Sequence, residues 1–128
     1  MNIDREFEKF QGGATPPKSE RVHVSINQHG RIILNERIYE AIGKPEAVYL
    51  HYSRQRDVIA VEPARLRMPS AFPVFRNRAA YRINAAPFCR HFGIRIDGTE
   101  KFVAPAHSSD GRALILSLRD TVRVTRAK

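Results

Sequence analysis

Residues 30–43 read GRIILNERIYEAIG. Arg31-Ile32-Ile33-Leu34 is a short aliphatic run and predicts a strand. Asn35 follows it, and its amide oxygen can accept an orphan backbone N–H, which predicts a helix N-cap. Ile38, Ala41 and Ile42 then share one face of a two-turn helix over 36–42. Gly43 suits the position just past a helix end, and Pro45 blocks continuation.

Working outward, residues 21–27 (RVHVSIN) alternate apolar and polar, with Val22, Val24 and Ile26 on one face. Gln28-His29-Gly30 reads as a tight turn between these two strands, Gly30 supplying positive φ. Downstream, residues 47–52 (AVYLHY) alternate again. Ser53 to Asp57 turn the chain, Val58 to Val61 return it, and Pro63 closes the unit. The order is strand, strand, short helix, strand, strand.

That order recurs after a connector with Pro69 and Pro73. Val74 to Arg78 predicts a strand and Tyr81-Arg82-Ile83 the next. Asn84 is again a candidate N-cap, and residues 85–92 form a helix with Phe88 and Phe92 inward, ended by Gly93. Residues 101–104 and 113–118 supply two more strands around a Ser-Ser-Asp-Gly turn at 108–111. Fixed-order recurrence points to an internal repeat. One unit of this length cannot bury both faces of its strands, whereas two can close around a shared core and hide their sheet edges. The expected fold is therefore α+β, mostly β: a barrel from two tandem strand-strand-helix-strand-strand units. The expected organisation is a short helix and linker at 1–20, a first unit at 21–63, a connector at 64–73, a second unit at 74–118 and a basic tail at 119–128. In the first segment Ile3, Phe7 and Phe10 have helical spacing, and QGGATPPKS at 11–19 has linker composition.

The charge is uneven. The 128 residues carry 22 Lys and Arg against 13 Asp and Glu, a formal net charge of +9. Residues 1–63 are balanced, and the excess lies in 64–128. No acidic residue occurs between Glu62 and Asp97, yet Arg65, Arg67, Arg76, Arg78, Arg82, Arg90 and Arg95 fall there. The guanidinium fork suits phosphates and guanine edges, so a polyanion is the first partner to consider.

Other classes find little footing. No apolar run approaches the roughly 18 residues of a membrane span, and MNIDREFEKF is too charged for a signal peptide. The single cysteine, Cys89, excludes an intramolecular disulfide and a cysteine-based zinc site. The histidines at 23, 29, 51, 91 and 107 share no metal-ligand spacing, so no metal or cofactor is expected. Cys89-Arg90-His91 does not make a thiolate–imidazole pair, because consecutive helical residues point apart. No acid, base and oxyanion donor assemble, and the chain reads as a non-enzyme.

The stretch Val22–Pro63 resembles the swapped-hairpin domain of the AbrB/SpoVT/MazE group. The residues that carry the likeness are Gly30-Arg31-Ile32-Ile33-Leu34, Ile38, Ile42-Gly43, Val48-Tyr49-Leu50 and Ile59-Ala60-Val61. Two tandem units look like the arrangement of the MraZ branch, although its Asp-x-x-x-Arg signature is absent from both hairpins. The resemblance implies a dimeric or pseudo-dimeric barrel that binds double-stranded DNA as a transcriptional regulator, in a cytoplasmic, nucleoid-associated location. It equally implies an antitoxin-like interaction module, with a toxin-like protein or a second copy as partner. Arg31 matches the arginine after the hairpin glycine. The paired arginines of the family helix fall on Tyr39 and Glu40 in the first unit, and on Cys89 and Arg90 in the second. The expected DNA-binding residues are His29 at the hairpin tip, Arg31, Arg90, and Arg76, Arg78 and Arg82 lining one rim.

Overall fold

The computed structural model of the chain describes residues 22–124. The expected helix and linker at 1–20 and the end of the basic tail lie outside the described residues. The described residues build ten strands and two short helices: β1 Val24–Ile26, β2 Arg31–Asn35, α1 Glu36–Ala41, β3 Ala47–Ser53, β4 Val58–Ala64, β5 Phe72–Asn77, β6 Ala80–Asn84, α2 Ala86–Phe92, β7 Glu100–Phe102, β8 Ala106–His107, β9 Leu114–Ser117 and β10 Thr121–Arg123. Among the described residues no helix is long and apolar enough to cross a membrane.

The strands form one curled antiparallel sheet, a half-barrel, in the order β10-β7-β1-β2-β6-β5-β3-β4-β9-β8. Its first layer runs from β10 to β5 and its second from β3 to β8. Two pairings, one within each layer, join distant parts of the chain. β2 runs against β6, with Ile32 opposite Ile83 and Leu34 opposite Tyr81. β4 runs against β9, with Ile59 opposite Leu116 and Val61 opposite Leu114. The hairpin β1–β2 (Val24 opposite Leu34) adds through β1 to β7, Ser25 opposite Lys101. The hairpin β5–β6 adds through β5 to β3, Ala47 opposite Pro73. Each hairpin therefore pairs with a strand from the other half of the chain.

Alternation explains the core. Val24, Ile26, Ile32, Leu34, Val48, Ile59, Val61, Ile83, Phe102, Leu114 and Leu116 are fully buried on the concave side, and their chain neighbours face outward because successive strand residues point to opposite faces. The helices are too short to stand alone and cap the half-barrel. The Asn35 side chain accepts from the Ile38 N–H at 3.2 Å, the predicted N-cap. Tyr39 of α1 stacks on Tyr81 of β6 with ring centroids 3.7 Å apart. In α2, Phe88 and Cys89 are buried, and Gly93 ends the helix at φ 69°.

Two local expectations change. Asn84 is not a cap: it is the exposed last residue of β6, and α2 starts from Ala85 without a side-chain cap. The Ala85 N–H instead donates to the Gly30 carbonyl at 2.8 Å, so the first hairpin ties down the start of α2. The tail expected to begin at 119 contains β10, paired with β7 along Thr121–Phe102, Val122–Lys101 and Arg123–Glu100.

Candidate nucleic-acid interface

The convex side of the first layer is set by strand parity. Ile32 and Leu34 point inward, so Arg31 and Ile33 point outward. Tyr81 and Ile83 point inward, so Arg82 points outward. Phe102 is buried, so Lys101 points outward. Cross-strand register then aligns one outer row: Val122, Lys101, Ser25, Ile33, Arg82, Phe75. Arg31 lies one row away, opposite Asn84. Neighbouring strands are about 4.8 Å apart, so Lys101 and Arg82 sit roughly 14 Å from one another. None of these outward positions carries a carboxylate.

Arg82 is held rather than free. Its guanidinium carbon lies 5.5 Å from the centroid of the Phe75 ring. Its Nε is buried and, among the described residues, has no hydrogen-bond partner. A buried donor without an acceptor costs about 1–3 kcal/mol, and the Nη groups of the same guanidinium are left to meet a partner.

The hairpin tips lie at opposite ends of the β2–β6 pair, because the two strands run antiparallel. Five-residue strands separate the ends by roughly 14 Å. At one end the Asn27 side chain accepts from the N–H groups of His29 and Arg31 at 3.0 and 3.1 Å, which shapes the turn. Gly30 has φ 72°, and a Cβ there would stand 2.7 Å from the Ala86 Cα. His29 and Arg90 share a hollow of about 270 Å³ with Cys89. At the other end Arg78 occupies the β5–β6 tip with φ 59°, a conformation that favours glycine.

The expectation that Arg76, Arg78 and Arg82 line one rim needs correction. Arg76 is opposite Tyr81, and Arg82 is opposite Phe75, so they lie on opposite faces of the hairpin. Arg76 leans over the Tyr81 ring at 5.9 Å and donates to the Arg78 carbonyl at 3.4 Å. The convex face brings Arg31 and Arg82 together, flanked by the His29–Arg90 end and the Arg78 tip. Lys101 and Phe75 belong with them and escaped sequence reading. Their signal was parity, Lys101 preceding an inward Phe102, but the register of β7 was not known.

The remaining chemistry is quiet. Burial pushes the Cys89 thiol up, which keeps it protonated at neutral pH. The Tyr81 hydroxyl donates to Glu36 Oε2 at 2.7 Å, and that bond raises its pKa. Among the described residues no group of three or more His, Cys, Asp or Glu is placed to hold a metal ion. No family model, curated protein or solved structure matches the chain.

Proposed function

We propose that this chain is a DNA-binding transcriptional regulator built as a duplicated swapped-hairpin barrel of the AbrB/SpoVT kind, with no catalytic role. The observation that carries the reading is the acid-free convex face with Arg31, Arg82 and Lys101, aligned by strand register. The strand order supports the duplication. β1–β2 and β5–β6 each pair across to the opposite half, and β2–β6 and β4–β9 join the two halves within the layers. β3 has its counterpart in β7 plus β8, and β4 in β9 plus β10, each broken once in the second half.

In this reading Arg31, Arg82 and Lys101 contact backbone phosphates across the face. His29, Arg90 and Arg78 reach around its two ends. Such contacts position the duplex, and sequence is read by base edges or groove shape. Bound in this way, the protein belongs with the nucleoid. The test is fluorescence anisotropy of a random-sequence duplex at about 50 and 200 mM salt, the range over which counterion release weakens binding steeply. A steep salt slope is expected. Absence of binding at the lower salt rejects the reading.

A second reading, a protein-interaction module of the antitoxin kind, has one observation in its favour. Val103, Val122 and Val124 are exposed at 54%, 51% and 42%, and by parity all three share the outward side of the β7–β10 margin. Light scattering of the purified chain tests it for self-association: Val122→Asp should dissolve any dimer that this margin forms.

A further inference from the structure

We infer that the cleft between the β3–β4 turn, the segment after α2 and the β9–β10 turn binds a small phosphate-bearing anion, gripped by Arg54, Arg95 and Arg119. The cleft encloses about 520 Å³, within the range of roughly 300–1,000 Å³ typical of small-molecule sites. Glu100, Thr121 and Arg123 line it. These residues alternate with Lys101 and Val122, so the cleft opens on the side of the β7–β10 ribbon opposite the convex row. The inference is therefore independent of the DNA reading.

Three features make the cleft a built anion site. First, its arginines are oriented by neutral groups. Arg54 Nη1 donates to the Phe92 carbonyl at 3.2 Å, and its guanidinium lies 5.4 Å from the Phe92 ring centroid. Arg119 Nη2 donates to the Gln55 carbonyl at 2.9 Å. A guanidinium has five N–H donors, so each arm keeps most of its fork available. Carbonyl anchors fix direction without supplying a countercharge.

Second, like charges are held together. Arg119 is anchored to the residue next to Arg54, and both charges act on the Tyr52 hydroxyl. Among the described residues neither arginine, nor Arg95, has a carboxylate within 4.0 Å. Cations lining one cleft repel unless an anion joins them.

Third, the four arginines that line the cleft outnumber its three acids, two of which already accept hydrogen bonds. Glu100 accepts from Arg123 Nε at 2.7 Å and from Thr121 Oγ1 at 3.2 Å. Asp57 accepts from the Tyr52 hydroxyl at 2.5 Å. Gly98 lets the Arg123 guanidinium pack closely, since a Cβ there would stand 2.7 Å from one of its nitrogens. Asp97 is the remaining acid of the cleft and is exposed. Planar forks bordering one space suit the oxygens of a phosphate or pyrophosphate.

The test titrates the full chain with pyrophosphate by calorimetry at constant ionic strength, with citrate as a carboxylate control. Saturable binding to pyrophosphate is expected, weakened at least about tenfold in Arg54→Gln/Arg119→Gln, since hydrogen bonds to charged groups are the strong ones. Substituting Arg31, Arg82 and Lys101 by Gln should leave it unchanged. Amide resonances of Gly93, Arg95 and Gly98 should shift in the wild type, a readout that survives if the double variant folds poorly. Arg95→Gln, at an exposed loop position, gives a further variant with little risk to folding. No saturable heat overturns the inference. So does equal binding of citrate, or loss of binding in the convex-face variant alone.

Discussion

The two layers of the half-barrel bury the same kind of interior and present opposite exteriors. β1, β2, β5, β6, β7 and β10 carry five basic residues, of which Arg31, Arg82 and Lys101 face outward and Arg76 and Arg123 the other side. β3, β4, β8 and β9 carry none. Outward positions of the second layer hold Tyr49, His51, Ala60, Glu62 and Ile115, with His51 Nε2 3.2 Å from Glu62 Oε1. The inward residues do not differ in this way, since Ile32, Leu34 and Ile83 on one layer and Ile59, Val61 and Leu116 on the other are all fully buried. An arginine-rich background would load both exteriors alike. The outward charge is concentrated on one.

If the layers are equivalent as core, damage to either should cost the same. Leu34→Ala and Leu116→Ala are each expected to lower stability by about 2–5 kcal/mol, the range for deleting a buried leucine side chain. Urea denaturation measures both. A much smaller loss at Leu116 would make the second layer a cover rather than half of the core.

The exteriors should part company in binding. Arg31→Gln, Arg82→Gln and Lys101→Gln together should reduce duplex affinity at least about tenfold, and should flatten the salt slope by about 1 per contact removed. His51→Gln with Glu62→Gln should change neither, and should cost no more than about 1 kcal/mol, because exposed ion pairs contribute little. Equal losses from both sets would end the distinction between the faces.

Gly30 tests whether the first hairpin must sit on α2. Alanine there takes on positive φ and a Cβ 2.7 Å from the Ala86 Cα. A loss of about 1–3 kcal/mol is expected, as for other strained backbone positions. Chemical denaturation gives the number, and a neutral result would mean that the hairpin lifts away from α2 at little cost.

Much of this architecture was legible from local rules. Alternation located the strands, and Asn35, Gly30 and Gly93 marked a cap, a turn and a helix end through chemistry that acts within a few residues. The candidate face was less legible, because parity across a hairpin depends on turn length. Arg76 and Arg82 share a side or oppose one another according to how many residues the turn takes, and Asn77 to Ala80 left that open. With Arg78 and Ala79 at the tip, Arg82 aligns with Phe75 and Arg76 with Tyr81. Lys101 escaped for a related reason: its neighbours Ser25 and Val122 come from opposite ends of the described chain, and nothing local announces those pairings.

Arg78 brings the comparison down to one residue. Of the two hairpin tips in the first layer, one puts Gly30 at positive φ and the other puts an arginine there, at φ 59°. The left-handed region costs an L-residue about 1–2 kcal/mol relative to the right-handed one, and glycine avoids that cost while losing more chain entropy on folding. Arg78→Gly should therefore leave stability unchanged or raise it by up to about 1 kcal/mol. Strain kept at an exposed tip points to a contact made by the side chain. The same variant should then bind duplex DNA more weakly, with a salt slope shallower by about 1. A thermal melt and an anisotropy titration on one preparation separate the two effects. A variant that is more stable and binds as well as the wild type would show that the tip arginine serves no partner, and would confine the interface to the rows of Arg31, Arg82 and Lys101.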